Sequence, residues 1–479
     1  MKTYRSRYCI IGAGPAGIGA AWELARHGET DVIVVDRNRI VGGLSRTESF
    51  DGNLFDVGPH RFFTKNAEVD ALWHEVLGND FRPVARLTRI LYKRKLFRYP
   101  LNGADVLLKM GVGESLHALA SYARARMTSS TKDARTFEDW ISAQFGTKLY
   151  QTFFKTYTEK VWGIPCSEIG AEWAAQRIKG LDLSTVIKNT LGLGRGNVKT
   201  LVDQFNYPTK GAGMMYARMG EIVQEKGHRL LLDASVTRIV SGGDTIRALV
   251  VSHPTEGEIR LEADHFLTSM PITHFIKQVD PPPEPSVIDS ANQLYYRDHV
   301  TVNLVIDGSN LFPDQWIYVH APDVKMARLA NYNNFSKEMP AQKNTTLVSV
   351  EYFTFQTDDV WGMSDNDLVA LGTEEITRMG LIPKGSAQQG WVVRETESYP
   401  TYYMGYQQPF GVVRAALDRL TNCTPIGRGG MYKYNNMDHS LYTGLLAARN
   451  LLAEDGRKYD LWQVNIDAEY HEGAVASAR

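Results

Sequence analysis

Short unbroken apolar runs alternate with amphipathic stretches along the chain, and their order predicts its elements. Tyr8-Cys-Ile-Ile11 is an apolar run of the kind that forms a buried strand. The helix-competent segment Ile18-Gly-Ala-Ala-Trp-Glu-Leu-Ala25 follows, then a second apolar run, Val32-Ile-Val-Val35, so the chain opens on a βαβ pattern. Residues 67–80 and 103–200 read as mainly helical. Met214–Lys226 predicts an amphipathic helix, followed by a strand pair over Arg229–Val240 and Ile246–Ser252. Val279-Asp-Pro-Pro-Pro283 is a rigid breaker and marks a boundary. Strand-like alternation then runs through Val300–Ile306, Gln315–Val319 and Thr345–Phe353, and helices are expected over Asp365–Met379 and Ser440–Glu454. Pieces of nucleotide-binding character stand at the start, middle and end. The expected architecture is therefore α/β: a discontinuous Rossmann-type domain (residues 1–66, 205–280 and 405–479), a mainly helical substrate domain (67–204) and an antiparallel-sheet substrate domain (281–404).

Composition narrows the class. The chain has 479 residues, 43% apolar and 22% charged, which suits a globular protein of more than one domain. Its formal net charge of −1 lends no support to nucleic acid or an anionic membrane as partner. No apolar run approaches the ~18–20 residues that span a bilayer, so no integral membrane segment is expected. Met-Lys-Thr-Tyr-Arg-Ser-Arg7 leads straight into the first strand without a separate apolar signal region, which predicts a cytoplasmic protein. Cys9, Cys166 and Cys423 are isolated, and the histidines form no ligand spacing, so buried thiols and no metal are expected.

Candidate chemistry sits first between the opening strand and helix. Gly12-Ala-Gly14-Pro15-Ala16-Gly17 is G-x-G-x-x-G, and Asp36 closes the second strand about twenty residues on, as dinucleotide binding requires. The helix N-terminus offers N–H groups to a pyrophosphate, and Asp36 offers acceptors to a ribose. Val41-Gly-Gly43-Leu44-Ser45-Arg46-Thr47 adds a second glycine pair and a cation, Arg46, for the diphosphate. With Arg37 beside it, this arrangement resembles the glutathione-reductase-type FAD-binding flavoproteins more than NAD dehydrogenases. It implies non-covalent FAD.

Four further blocks occur in order: Asp56-Val-Gly58-Pro-His60-Arg-Phe-Phe-Thr64, Arg98-Tyr-Pro-Leu-Asn102, Phe153-Phe154-Lys-Thr-Tyr157-Thr-Glu-Lys-Val-Trp162-Gly163 and Gly427-Arg428-Gly-Gly-Met-Tyr-Lys-Tyr434-Asn-Asn436-Met437-Asp438-His439. The series resembles the UDP-galactopyranose mutase family, within the wider protoporphyrinogen oxidase and amine oxidase-like FAD superfamily. The resemblance implies a flavoenzyme that interconverts the pyranose and furanose forms of a nucleotide-diphosphate sugar. Reduced FAD would act through N5 as nucleophile at the anomeric carbon, after reduction by NAD(P)H or another reductant. It implies a monomer or homodimer in polysaccharide biosynthesis.

Carried over residue by residue, the resemblance puts His60 beside the flavin in a catalytic role. Arg177 (one residue further from Trp162 than the family spacing) and Arg328 would grip the diphosphate, which two guanidiniums suit. Phe153, Phe154, Tyr157 and Trp162 would lie near the nucleobase; at helical spacing they serve equally as core. Tyr352, Tyr402 and Tyr434 would line the diphosphate and sugar site. Gly58, Val236, Gly427, Arg428, Asn436, Met437, Asp438 and Ser440 join the flavin contacts. The chain departs from the family in the segment Gly180–Gln204, in Asn436 where Asp is usual and in Val161 where Gln is usual. Phe205-Asn-Tyr-Pro-Thr-Lys-Gly-Ala-Gly213 is closer to protoporphyrinogen oxidases and amine oxidases. A second function class stays open on these grounds, an FAD-dependent oxidase or desaturase. The arginine pair separates the two, because an oxidase of amines or tetrapyrroles has no diphosphate to neutralise.

Overall fold

The computed structural model describes residues 1–99, 101, 103–173, 204–453, 456 and 458–465. Its first sheet is built on the opening strand, Lys2–Ile11, which pairs in parallel with Val32–Val35 on one side and Gly257–Thr268 on the other. Arg229–Leu231 extends the first side; Ile246–His253, Ser235–Ser241 and Val279–Asp280 extend the second, and Cys423–Pro425 pairs with the end of Gly257–Thr268. Alternation sends Tyr8, Ile10, Val32 and Val34 to one face and Cys9, Ile11, Ile33 and Val35 to the other. Both faces are covered, as a parallel sheet requires, and that is why these strands read as continuous apolar runs.

The helix Pro15–Arg26 packs on the first face together with Met437–Leu452 and Gly213–Glu225. A Cβ at Gly444 would stand 2.0 Å from the carbonyl of Ala16, so glycine lets the middle of the closing helix touch the start of the opening one. The expected strand Arg229–Val240 is split. Asp233 turns into the left-handed region (φ 55°), so the first piece pairs in parallel with Val32–Val35 and the second antiparallel with Ile246–His253.

A seven-stranded sheet runs in the order Ala387–Pro400, Tyr296–Asp307, Thr345–Thr354, Arg328–Asn331, Trp316–Val319, Thr88–Tyr92, Lys95–Arg98. The last two strands, with Phe81–Ala85, fall inside the segment expected to be mainly helical. They are four or five residues long, too short for period-two alternation to stand out from a helical stripe. Along Tyr296–Asp307 and Thr345–Thr354 the two faces differ. Val300, Val302, Leu304, Val348, Val350 and Tyr352 pack with Leu368 and Ile376 of the helix Asp365–Arg378. The alternate positions His299, Thr301, Asn303, Ser349 and Glu351 are buried and polar. A helical body, including Gly103–Met110, Val112–Thr128 and Phe137–Phe145, packs near the Thr88–Arg98 hairpin around Phe97, Ile141 and Phe153. Among the described residues no helix is long and apolar enough to cross a membrane.

Candidate functional site

A cavity of about 390 Å³ opens at the carboxyl ends of the first sheet's parallel strands, where open α/β sheets hold ligands. The opening turn lines it through Gly12, Gly14, Pro15 and Ala16. A Cβ at Gly17 would lie 1.8 Å from the carbonyl oxygen of Gly12, so the turn can fold back on its helix only with glycine there. Gly14 precedes the helix with no side-chain cap, which leaves the first-turn N–H groups to a ligand. Asp36 accepts from the N–H of Ala13 (2.6 Å) and of Asn38 (2.7 Å). Burial raises its carboxyl above the ordinary value against those two N–H groups. Gly43, Leu44 and Ser45 form the facing wall; Asn436, Met437 and Ser440, at the start of the closing helix, complete it with Gly427 and Arg428. Arg428 donates to the carbonyls of Asn435 (2.8 Å) and Ser398 (3.0 Å) and lies over the rings of Tyr399 and Tyr434.

A smaller cavity of about 170 Å³ shares His60, Arg428, Asn436 and Met437 with the first. Its other walls include Gly58, Arg61, Trp316, Tyr318, Arg328, Tyr399, Tyr434 and Asp438. Arg328 donates to Glu351 Oε2 from Nε (3.1 Å) and Nη2 (2.6 Å), and Nη2 also reaches Tyr399 Oη (3.2 Å). Burial opposes the guanidinium's charge, but Glu351 overrides it and holds Arg328 protonated; burial raises the Glu351 carboxyl. His60 is held down to about 3 by burial and by the cations Arg428 and Arg328, with Gly58 pulling weakly the other way, so it is neutral near pH 7. Asp438, whose Oδ1 is enclosed without a hydrogen-bond partner, is raised to about 6 by burial.

The sequence model of the flavin-containing amine oxidoreductases matches residues 15–452. The chain belongs to that family. A probable UDP-galactopyranose mutase of Klebsiella pneumoniae is 32% identical over 169 residues, 34% of this chain and 42% of that protein, so the match spans less than half of the relative. A coproporphyrinogen III oxidase of Mycobacterium tuberculosis is 22% identical over 434 residues, 86% of this chain and 90% of that one. In three dimensions a reduced UDP-galactopyranose mutase superposes with a TM-score of 0.80 at 20% identity, covering 93% of this chain and 95% of that one, a likeness of fold.

A flavin dinucleotide suits the larger cavity of this family member. The cradle is backbone and glycine where a diphosphate would lie, with an uncapped helix start on one side and the closing helix on the other. Of the expected flavin contacts, Gly12, Gly14, Pro15, Ala16, Asp36, Arg37, Gly43, Leu44, Ser45, His60, Val236, Gly427, Arg428, Asn436, Met437 and Ser440 line it. Gly58 and Asp438 line the smaller cavity. Gly17 lines neither, because it serves the turn. Arg46, expected as a cation for the diphosphate, is buried and committed to the Gly43 carbonyl (3.0 Å), Glu48 and Glu395.

Of the expected substrate residues, Arg328 and Tyr434 line the smaller cavity. Arg177 lies outside the described residues, as do Pro100 and Asn102 of the second block. Tyr352 is on the other side of its sheet: its hydroxyl donates to Glu375 (3.1 Å), and strand alternation presents Glu351 to the site instead. Phe153 packs against Phe97, and Phe154 stacks on Phe145, so their rings are consumed by the helical core. Tyr157 stacks on His320 and meets the edge of Tyr318; Trp162 lies 6.0 Å from the Tyr434 ring. Tyr402 accepts the N–H of Tyr434 (2.7 Å), which positions that residue without lining the cavity. Tyr399, Trp316 and Tyr318 line the smaller cavity and Glu351 pairs with Arg328 there, although no motif singles them out. Glu351 carried a signal: it is the lone charge in an otherwise apolar and hydroxyl strand, Thr345–Thr354.

Proposed function

We propose that this flavoenzyme is a mutase that interconverts pyranose and furanose forms of a nucleotide-diphosphate sugar. The observation that carries the reading is Arg328, held charged on the wall of a small polar cavity that meets the flavin cradle at His60. A diphosphate would take the place of part of the Glu351 pairing, and Tyr399 and Tyr434 offer hydroxyl groups and ring faces to a sugar. A tetrapyrrole would call for a broad apolar slot, whereas this small cavity sets Arg61, Arg328, Arg428, Asp438 and three tyrosines beside its apolar walls. When bound and reduced, FAD would supply the nucleophile for the anomeric carbon at N5. Ring opening and reclosure moves a proton on and off the ring oxygen; Asp438, on the wall of the smaller cavity and raised to about 6, would exchange one near neutral pH. His60, neutral there, would keep the neck between the cavities free of further charge.

The competing reading, an FAD-dependent oxidase, draws on the coproporphyrinogen III oxidase relative, whose match runs through most of the chain. Anaerobic incubation with dithionite and a panel of nucleotide sugars, followed by chromatography, separates the two. Ring isomers without stoichiometric consumption of reductant are expected. Turnover that starts from oxidised flavin and consumes O2 would replace the mutase by the oxidase. His60→Ala should slow isomerisation and leave the flavin absorbance intact.

A further inference from the structure

One helix carries an apolar face that the other described residues leave bare. In Val112–Thr128 the inward face is made of small residues, Ser115, Ala118 and Ala125. A second stripe follows helical spacing on the solvent side: Val112, Leu116, Leu119, Ala123 and Met127. Val112 is 79% exposed, Leu116 62% and Met127 83%; Leu108, at the end of the preceding helix, is 84% exposed. Seventeen residues at about 1.5 Å rise make this stripe about 25 Å long. Arg124 and Arg126 flank it on its two sides.

The charge around it is one-sided. Residues 93–128 hold seven Lys or Arg against two Asp or Glu, in a chain whose net charge is −1. Both acids are engaged, Asp105 with Lys109 and Glu114 with Lys148. The basic tip of the Thr88–Arg98 hairpin, Lys93-Arg94-Lys95, is tied to this face: Lys95 donates to the Lys109 carbonyl (2.7 Å) and Lys109 to that of Leu96 (2.7 Å). An exposed apolar stripe bordered by cations matches a bilayer's acyl boundary and anionic headgroups. Charge alone would suit any polyanion; the stripe selects lipid.

We propose that the helix Val112–Thr128, with Leu108 and the Lys93–Lys95 tip, docks this enzyme on an anionic membrane surface, lying in the interface without crossing it. The overall charge balance conceals this, because the remainder of the chain is acidic. The proposal stands apart from the choice between mutase and oxidase.

Sedimentation of the flavin-loaded full chain with lipid vesicles tests it, with the flavin absorbance read in the pellet. At low salt the protein should pellet with vesicles of phosphatidylcholine and phosphatidylglycerol in equal parts, and far less with phosphatidylcholine alone. Val112→Glu with Leu116→Glu, and separately Lys93→Glu with Arg94→Glu, should each lower the partition coefficient about tenfold or more while flavin content is unchanged. Failure to bind the anionic vesicles, or binding indifferent to both pairs, would overturn the proposal. So would a dimer on gel filtration that Val112→Glu with Leu116→Glu dissociates, since the face would then belong to a second copy.

Discussion

The two neighbouring cavities are built from different material. The larger is a backbone site: a glycine turn, a helix start without a cap, a second glycine loop and the start of the closing helix. Asp36 on its wall and Arg46 behind it are spent on holding loops. The smaller is a side-chain site, in which His60, Arg328, Tyr399, Tyr434 and Asp438 come from four separate segments. A backbone site tolerates changes in side chains but no added atom where chain meets chain. A side-chain site tolerates packing changes but depends on each charge keeping its partner.

That contrast can be broken most severely at Gly17. Gly17→Ala puts a methyl 1.8 Å from the Gly12 carbonyl, and either the turn or the helix must move. The expected result is protein without flavin, or no soluble protein; a yellow Gly17→Ala enzyme with full flavin content would refute the account of the turn.

Arg328→Ala tests the other kind of site. It strips the partner from buried Glu351, at a cost to stability of about 2–3 kcal/mol, and should weaken nucleotide-sugar binding about thirtyfold or more. Adding Glu351→Gln should restore most of the melting temperature and none of the affinity. Recovery of both would make the pair a purely structural device.

Asp438 gives a smaller, pH-dependent effect. Its folded value of about 6 lies above the ordinary 3.8, so its charged form is disfavoured by folding. The contribution to stability is full below pH 4 and is lost as pH rises through 6, by at most about 3 kcal/mol. Asp438→Asn should therefore raise the melting temperature at pH 8, with the gain fading toward pH 4, while isomerisation falls. A gain of equal size at both pH values would remove burial of the charge as its cause.

Smallest is Tyr352→Phe. Loss of the hydroxyl's bond to Glu375 should cost about 1 kcal/mol of stability and leave turnover unchanged. A selective fall in turnover would put Tyr352 back at the substrate.

How much of each site could be read in the sequence follows from the same contrast. A backbone site is a local object: G-x-G-x-x-G, the acid after the second strand and the Gly427-Arg428 block each carry their geometry in their spacing, and most of the residues they named line the larger cavity. The buried apolar runs likewise announced the parallel strands, because both faces of that sheet are covered. The smaller cavity depends on cross-strand register. Arg328 stands opposite Glu351 because their strands pair in that register, and a shift of one residue would present Tyr352 instead. Motif matching names neighbours such as Tyr352 and Phe153 as readily as the true wall, since adjacent residues on a strand or helix share a motif while facing opposite ways. Sequence by itself therefore determined the glycine-built wall of the larger cavity, whose parts are contiguous. Only the tertiary structure decided which side chains meet beyond it, because that depends on pairings between segments hundreds of residues apart.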